Sequence, residues 1–204
     1  MTDIIRAALS GAAQLKPFLY SVYRFIIAHP KFMLAAMGIW FTLCGIMEWI
    51  RQKSDKQKIV VCSWKALVWI ILAVSVIMFL YVTLCNRYQT TYLRYKLDLF
   101  WSYREVMKNN NRFILWQIAW NILAFVPIGN ALYYLLGEKR KIYKVILGCA
   151  IFSLCIELTQ LFGRIGLFEF DDILHNTLGG VAGYLIGVVL YKIGCISSSI
   201  FGKK

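Results

Sequence analysis

Apolar residues in this chain come in long blocks rather than at alternate positions. Five blocks, at 32–50, 66–85, 114–136, 145–162 and 173–191, carry few charges. Each approaches the roughly 20 residues that an α-helix needs to cross the hydrocarbon core of a bilayer. Lipid offers backbone amides no partner, so each block is expected to be helical. The pattern predicts an all-α integral membrane protein, a bundle of about five transmembrane helices. Residues 1–31 break it, because Arg6, Lys16, Arg24 and the step from His29 to Pro30 interrupt their apolar content. An amphipathic helix lying on the interface is the expectation there. A sixth crossing would put Lys16 near its centre, which is costly.

No repeat or low-complexity linker divides the 204 residues, so one domain is expected. Its order is an amphipathic segment (1–31), two N-terminal spans (32–85), an external loop (86–113), a three-helix core (114–193) and a tail (194–204). The composition is 60% hydrophobic, yet the net charge is +13. The basic residues lie in short loops between apolar blocks, with five in 51–65 and four in 137–144. That placement points to anionic head groups and cytoplasmic loops, and no nucleic acid partner is expected. The loop 163–172 has Arg164 against Glu169, Asp171 and Asp172, and is expected outside with 86–113, whose six basic residues are diluted by its length. Cys44, Cys62, Cys85, Cys149, Cys155 and Cys195 form no CxxC motif or Cys/His cluster. They read as packing residues, with no disulfide, metal or cofactor expected.

Polar residues inside the last three blocks carry the candidate chemistry. At a rise of about 1.5 Å per residue, Glu157 lies about 7 to 8 Å below the outer end of the fourth span. Gln160 and Arg164 share its face. Asn176 lies about 6 Å deep in the fifth span, and Gln117 and Asn121 lie about 5 and 10 Å deep in the third. Three consecutive helices thus carry polar residues in one half of the bilayer. The ligand-binding candidates are Gln117, Asn121, Glu157, Gln160, Arg164, Asp171, Asp172, His175 and Asn176. Simpler roles stand beside this one. Asp171 and Asp172 can cap the fifth helix, Glu157 can pair with Arg164, and His175 can be a polar packing residue. Gly179, Gly180, Gly183 and Gly187 form a small-residue stripe suited to close helix approach. Pro127 is expected to kink the third span, with Gly129 and Asn130 accommodating the broken hydrogen bonds.

Three segments together resemble the VanZ-like family of bacterial membrane proteins: NILAFVPIGNALYYLL at 121–136, SLCIELTQLFGR at 153–164 and FEFDDILHNTLGGVAGY at 168–184. The resemblance extends more loosely to LDLFWSYREV at 97–106, where the Pro that the family often carries before the Phe is missing before Phe100. The first two spans and the N-terminal stretch fall outside it. The resemblance implies a bacterial cell-membrane location, a cell-envelope role and a link to resistance against the glycopeptide teicoplanin. It marks Asn121, Pro127, Gly129, Glu157, Gln160, Gly163, Arg164, Asp171, Asp172, Asn176, Thr177, Gly179 and Gly180 as family-motif positions.

The expected function is binding of a lipid or lipid-linked envelope molecule in an outer-leaflet polar pocket. A lipid-linked cell-wall precursor and a lipoglycopeptide drug are both possible partners. Arg164 would meet phosphate, and Glu157, Asn121 and Asn176 would meet hydroxyl or amide groups. The alternative is an intramembrane hydrolase or transferase with Glu157 and Asp172 as acid and base, or Asp171 and Asp172 holding a divalent ion. No GxSxG or HExxH motif supports the enzyme. A transporter is disfavoured by the absence of an inverted repeat.

Overall fold

The computed structural model describes residues 30–53, 57–85, 89–137 and 141–201. The expected amphipathic helix at 1–31 lies outside them, save its last two residues. The first forty residues form one compact unit and the remainder another. Of the first, only the opening turns of α1 (Pro30–Lys53) are described. The second continues with α2 (Gln57–Leu80), which passes into a π-helical turn, Tyr81–Cys85. Then follow β1 (Tyr95–Lys96), α3 (Trp101–Asn109), α4 (Arg112–Leu135), α5 (Ile142–Phe162), β2 (Phe168–Glu169) and α6 (Phe170–Phe201).

The protein is an all-α membrane protein. Among the described residues four helical stretches are long and apolar enough to cross a membrane: Trp64–Leu84, Arg112–Leu135, Ile142–Phe162 and Phe170–Ile196. The first expected span falls within α1, where Gly38–Met47 is a shorter apolar stretch. The expected tail is helix as far as Phe201, because no Gly or Pro stops α6 after Tyr191 until Gly194, which a helix tolerates.

Of the expected loop 86–113, the described residues from 89 onwards hold more structure than a loop. Its strand β1 pairs in parallel with β2, Tyr95 opposite Phe168 and Lys96 opposite Glu169. Helix α3 follows at once. Its N-cap, Phe100, has φ 62°, a left-handed conformation, and offers the helix no side-chain cap. A bulky residue there costs on the order of 1–2 kcal/mol. Asp171 of α6 supplies the missing acceptor, taking the Phe100 amide at 2.6 Å and the Ser102 amide at 3.0 Å.

Helices α4 and α6 share the most extensive interface in the protein. They run parallel, with α5 returning between them in sequence. A Cβ at Gly179 would strike the Ile122 carbonyl, one at Gly183 the Val126 carbonyl, and one at Gly187 the Tyr133 ring. Gly129 faces the Gly180 backbone in the same way, and Gly180 in turn faces the Cys149 sulfur of α5. Backbone lies on backbone along this seam, where van der Waals packing without side chains replaces the hydrophobic driving force that lipid lacks. Asn130 is fully buried and donates to the Gly183 carbonyl at 3.1 Å. It therefore bridges to α6 instead of repairing its own helix after Pro127. On the other side, Phe125, Ile128, Val145 and Cys149 form a core covered by α2 residues such as Leu72, Val76 and Phe79.

Candidate functional site

Where α5 ends and α6 begins, polar side chains from four helices meet. Ser153 of α5, fully buried, accepts from the Asn176 amide of α6 at 2.8 Å. One turn towards the helix end on α5 lies Glu157, and one turn towards it on α6 lies Asp172. Glu157 is 2% exposed and accepts from the Glu169 amide at 2.9 Å. Asp172 accepts from the Asn121 side chain of α4 at 2.7 Å. Its side chain is 26% exposed, so the carboxylate still opens outwards.

His175, one turn below Asp172, is 1% exposed. Its Nδ1 lies 3.8 Å from the Asp172 carboxylate, beyond hydrogen-bond distance. Neither ring nitrogen has a hydrogen-bond partner, and neither does the Asn176 Oδ1. Each such buried polar group costs about 1–3 kcal/mol when nothing meets it. Tyr103 of α3 covers the imidazole edge-on, its ring centre 5.3 Å away. Burial, and then the nearby Asp171 charge, push the Tyr103 phenol above its ordinary pKa of 10.0, so it is a neutral hydroxyl at neutral pH.

The neighbouring carboxylate is used differently. Asp171 is fully buried, and both its oxygens accept: Oδ1 from the Phe100 amide, Oδ2 from the Ser102 amide and hydroxyl, the latter at 2.5 Å. It caps a helix, but the helix is α3 rather than its own. This anchors α3 beside His175 and engages both Asp171 oxygens. Among the described residues no group of three or more His, Cys, Asp or Glu side chains is arranged to hold a metal.

Arg164 and Glu157 are held by different partners. Arg164 is exposed, has φ 54°, and donates to the Thr91 carbonyl at 3.4 Å. Its own carbonyl accepts from the Thr90 amide at 2.7 Å and hydroxyl at 3.1 Å. This clasp ties the α5–α6 loop to the segment before β1. Gln160 is buried and donates to the Thr83 carbonyl, fixing the π-helical turn. Gln117 is exposed. Asn121, Glu157, Asp172, His175 and Asn176 are thus the candidates that converge. Ser102, Tyr103 and Ser153 join them, and the sequence reading had not singled them out. Ser153 was legible in principle, since it lies four residues before Glu157 and so on its face. The part played by Ser102 and Tyr103 depends on a fold across about 70 residues of chain, as the separation of Ser102 from Asp171 shows.

The family model described as VanZ/LLP1 matches residues 66–191. That is more than half of the chain and includes every converging residue. The match begins within α2, so the second span, which the motifs had left outside the resemblance, lies within it. No curated protein matches the chain, and no solved structure does.

Proposed function

The chain belongs to the VanZ/LLP1 family, and from that premise we propose that it is a multi-pass protein of the bacterial plasma membrane that binds a lipid or lipid-linked envelope molecule. The polar group of that molecule enters the cluster around Asp172, and its tail stays in lipid. The observation that carries this reading is the convergence of Asn121, Glu157, Asp172 and Asn176 from α4, α5 and α6, beneath a carboxylate that remains partly open. An intramembrane polar cluster is costly to maintain, and an amphiphile presented from the side suits it. The basic loops 51–65 and 137–144 support an outer-leaflet position for this end of the bundle, by the positive-inside rule. Exposed Arg164 gives one guanidinium N–H to Thr91 and keeps the others for a phosphate at the rim. Teicoplanin-type drugs carry a fatty chain, so occupancy of such a pocket by drug or precursor would link the protein to glycopeptide resistance.

Two experiments test this. Protein extracted in native nanodiscs is expected to carry a lipid species enriched over bulk membrane, read by mass spectrometry, and Asp172→Asn is expected to lose it. Equal lipid composition in both samples would sink the reading. Single cysteines at Ile165 and Glu138 are expected to label from opposite sides of the membrane; labelling from one side would overturn the sidedness. A second reading, hydrolysis or transfer on a lipid-linked substrate, is favoured by the Asp172–His175 adjacency, with Glu157 and Asp172 as acid and base. It requires the enriched lipid to turn over.

A further inference from the structure

The cluster holds more hydrogen-bond acceptors than the protein uses. A neutral imidazole has one N–H and one lone pair, and both ring nitrogens of His175 are buried and unpartnered. The Asn176 amide gives its N–H to Ser153 and leaves Oδ1 unmet. Asp172 receives Asn121 at Oδ1, which leaves Oδ2 for something else. Two acceptors and one donor are therefore buried with nothing from the protein to meet them, and a third acceptor, Asp172 Oδ2, lies on the partly open carboxylate beside them. No Lys or Arg side chain bonds to any of these groups among the described residues, and the nearest candidate cation in sequence, Arg164, is held by the Thr91 carbonyl.

Resting on the lipid-binding reading above, we propose that the inner part of the site takes a donor-rich head group, sugar hydroxyls or an amine, and that His175 is its central contact. A hydroxyl both donates and accepts, so a pair of hydroxyls can satisfy the imidazole and the Asn176 carbonyl together. An ammonium satisfies the acceptors and meets the Asp172 charge. A phosphate offers acceptors to acceptors and repels Asp172. Phosphate belongs at the exposed rim, and the inner cluster selects what lies beyond it. Tyr103 lies edge-on against His175, so a group that reaches the imidazole meets helix α3 as well.

The test uses the full-length protein in phosphatidylcholine nanodiscs, titrated with a diglucosyl diacylglycerol, with hexadecylamine and with phosphatidic acid. Wild type is compared with His175→Phe, which removes both nitrogens and fills the space, and with His175→Gln, which keeps a donor and an acceptor. Binding of the glycolipid or of the amine is expected to weaken about tenfold or more in His175→Phe, with partial recovery in His175→Gln. The arm that responds identifies the head group. Phosphatidic acid binding is expected to be equal in all three proteins. The empty His175→Phe protein is expected to melt higher than wild type, because two unmet polar atoms are gone; a histidine kept for packing would lower it. If phosphatidic acid alone shows the His175 dependence, the donor-rich assignment is overturned while the lipid site stands. If no probe distinguishes wild type from either variant, and Asp172→Asn also binds all probes normally, both readings fall.

Discussion

The two ends of α6 do opposite things with the same helix. From Gly179 to Gly187 it presents glycines to the α4 backbone at Ile122 and Val126, to the Tyr133 ring and to the Cys149 sulfur of α5, and the Gly183 carbonyl accepts from Asn130. From Asp171 to Asn176 it presents a carboxylate pair, an imidazole and an amide, and several of their atoms are unmet. The glycine half gains stability from contact. The polar half gives up stability, since buried groups without partners oppose folding. A protein that spends stability in one place and makes it up two turns away has a rigid support beneath a site, which is what an unstrained hold on a ligand needs.

The sharpest way to break that comparison is Gly183→Leu. Its side chain would enter the Val126 carbonyl and the Asn130 amide, and overpacking there is expected to cost about 3 kcal/mol or more. Melting in detergent reads this directly, and activity is expected to fall only with the folded fraction. A stable but inactive Gly183→Leu protein would mean that the glycines line the ligand path.

Asp171→Ala ranks next. It removes three hydrogen bonds that hold the start of α3, and bonds to a charged group are worth about 1.5–3 kcal/mol each before compensation by water. Because the bonds are shared, a total loss of about 3 kcal/mol is expected, with Ser102→Ala costing about 1 kcal/mol. Proteolysis within 89–109 is expected to quicken. If α3 stays protected in Asp171→Ala, the β1–β2 pair and not Asp171 positions it.

Asn176→Ala separates the two halves most cleanly. It orphans the Ser153 hydroxyl, at a cost of about 1 kcal/mol, yet it also removes an unmet carbonyl. Net stability is expected to change by less than about 1 kcal/mol, while retention of the bound lipid falls about tenfold. In paired measurements Gly183→Leu is expected to lower the melting temperature and Asn176→Ala the lipid retention of the folded protein.

Arg164→Gln is the mildest. Its side chain is exposed and its one long bond goes to Thr91, so a stability change under about 0.5 kcal/mol is expected. A loss as large as that of Asp171→Ala would show that the loop clasp, and not the buried cluster, carries the architecture.

Block lengths and the scarcity of charge within them determined the helical, membrane-type fold, because a bilayer imposes the length and lipid imposes the helix. Spacing also determined that Glu157 shares a helix face with Gln160, and Asp172 with Asn176, because the helix has a fixed period. Only the tertiary structure decided which neighbour each residue meets. Sequence could not distinguish Asp171, fully buried as the cap of α3, from Asp172, partly open and bound to Asn121, since adjacent helical positions point about 100° apart and nothing local says which way the bundle lies. It could not show that Arg164 donates to Thr91, or that 89–113 folds back to place Tyr103 over His175. Those contacts join residues some 70 positions apart, and their geometry is set by how α4, α5 and α6 stack on their glycines.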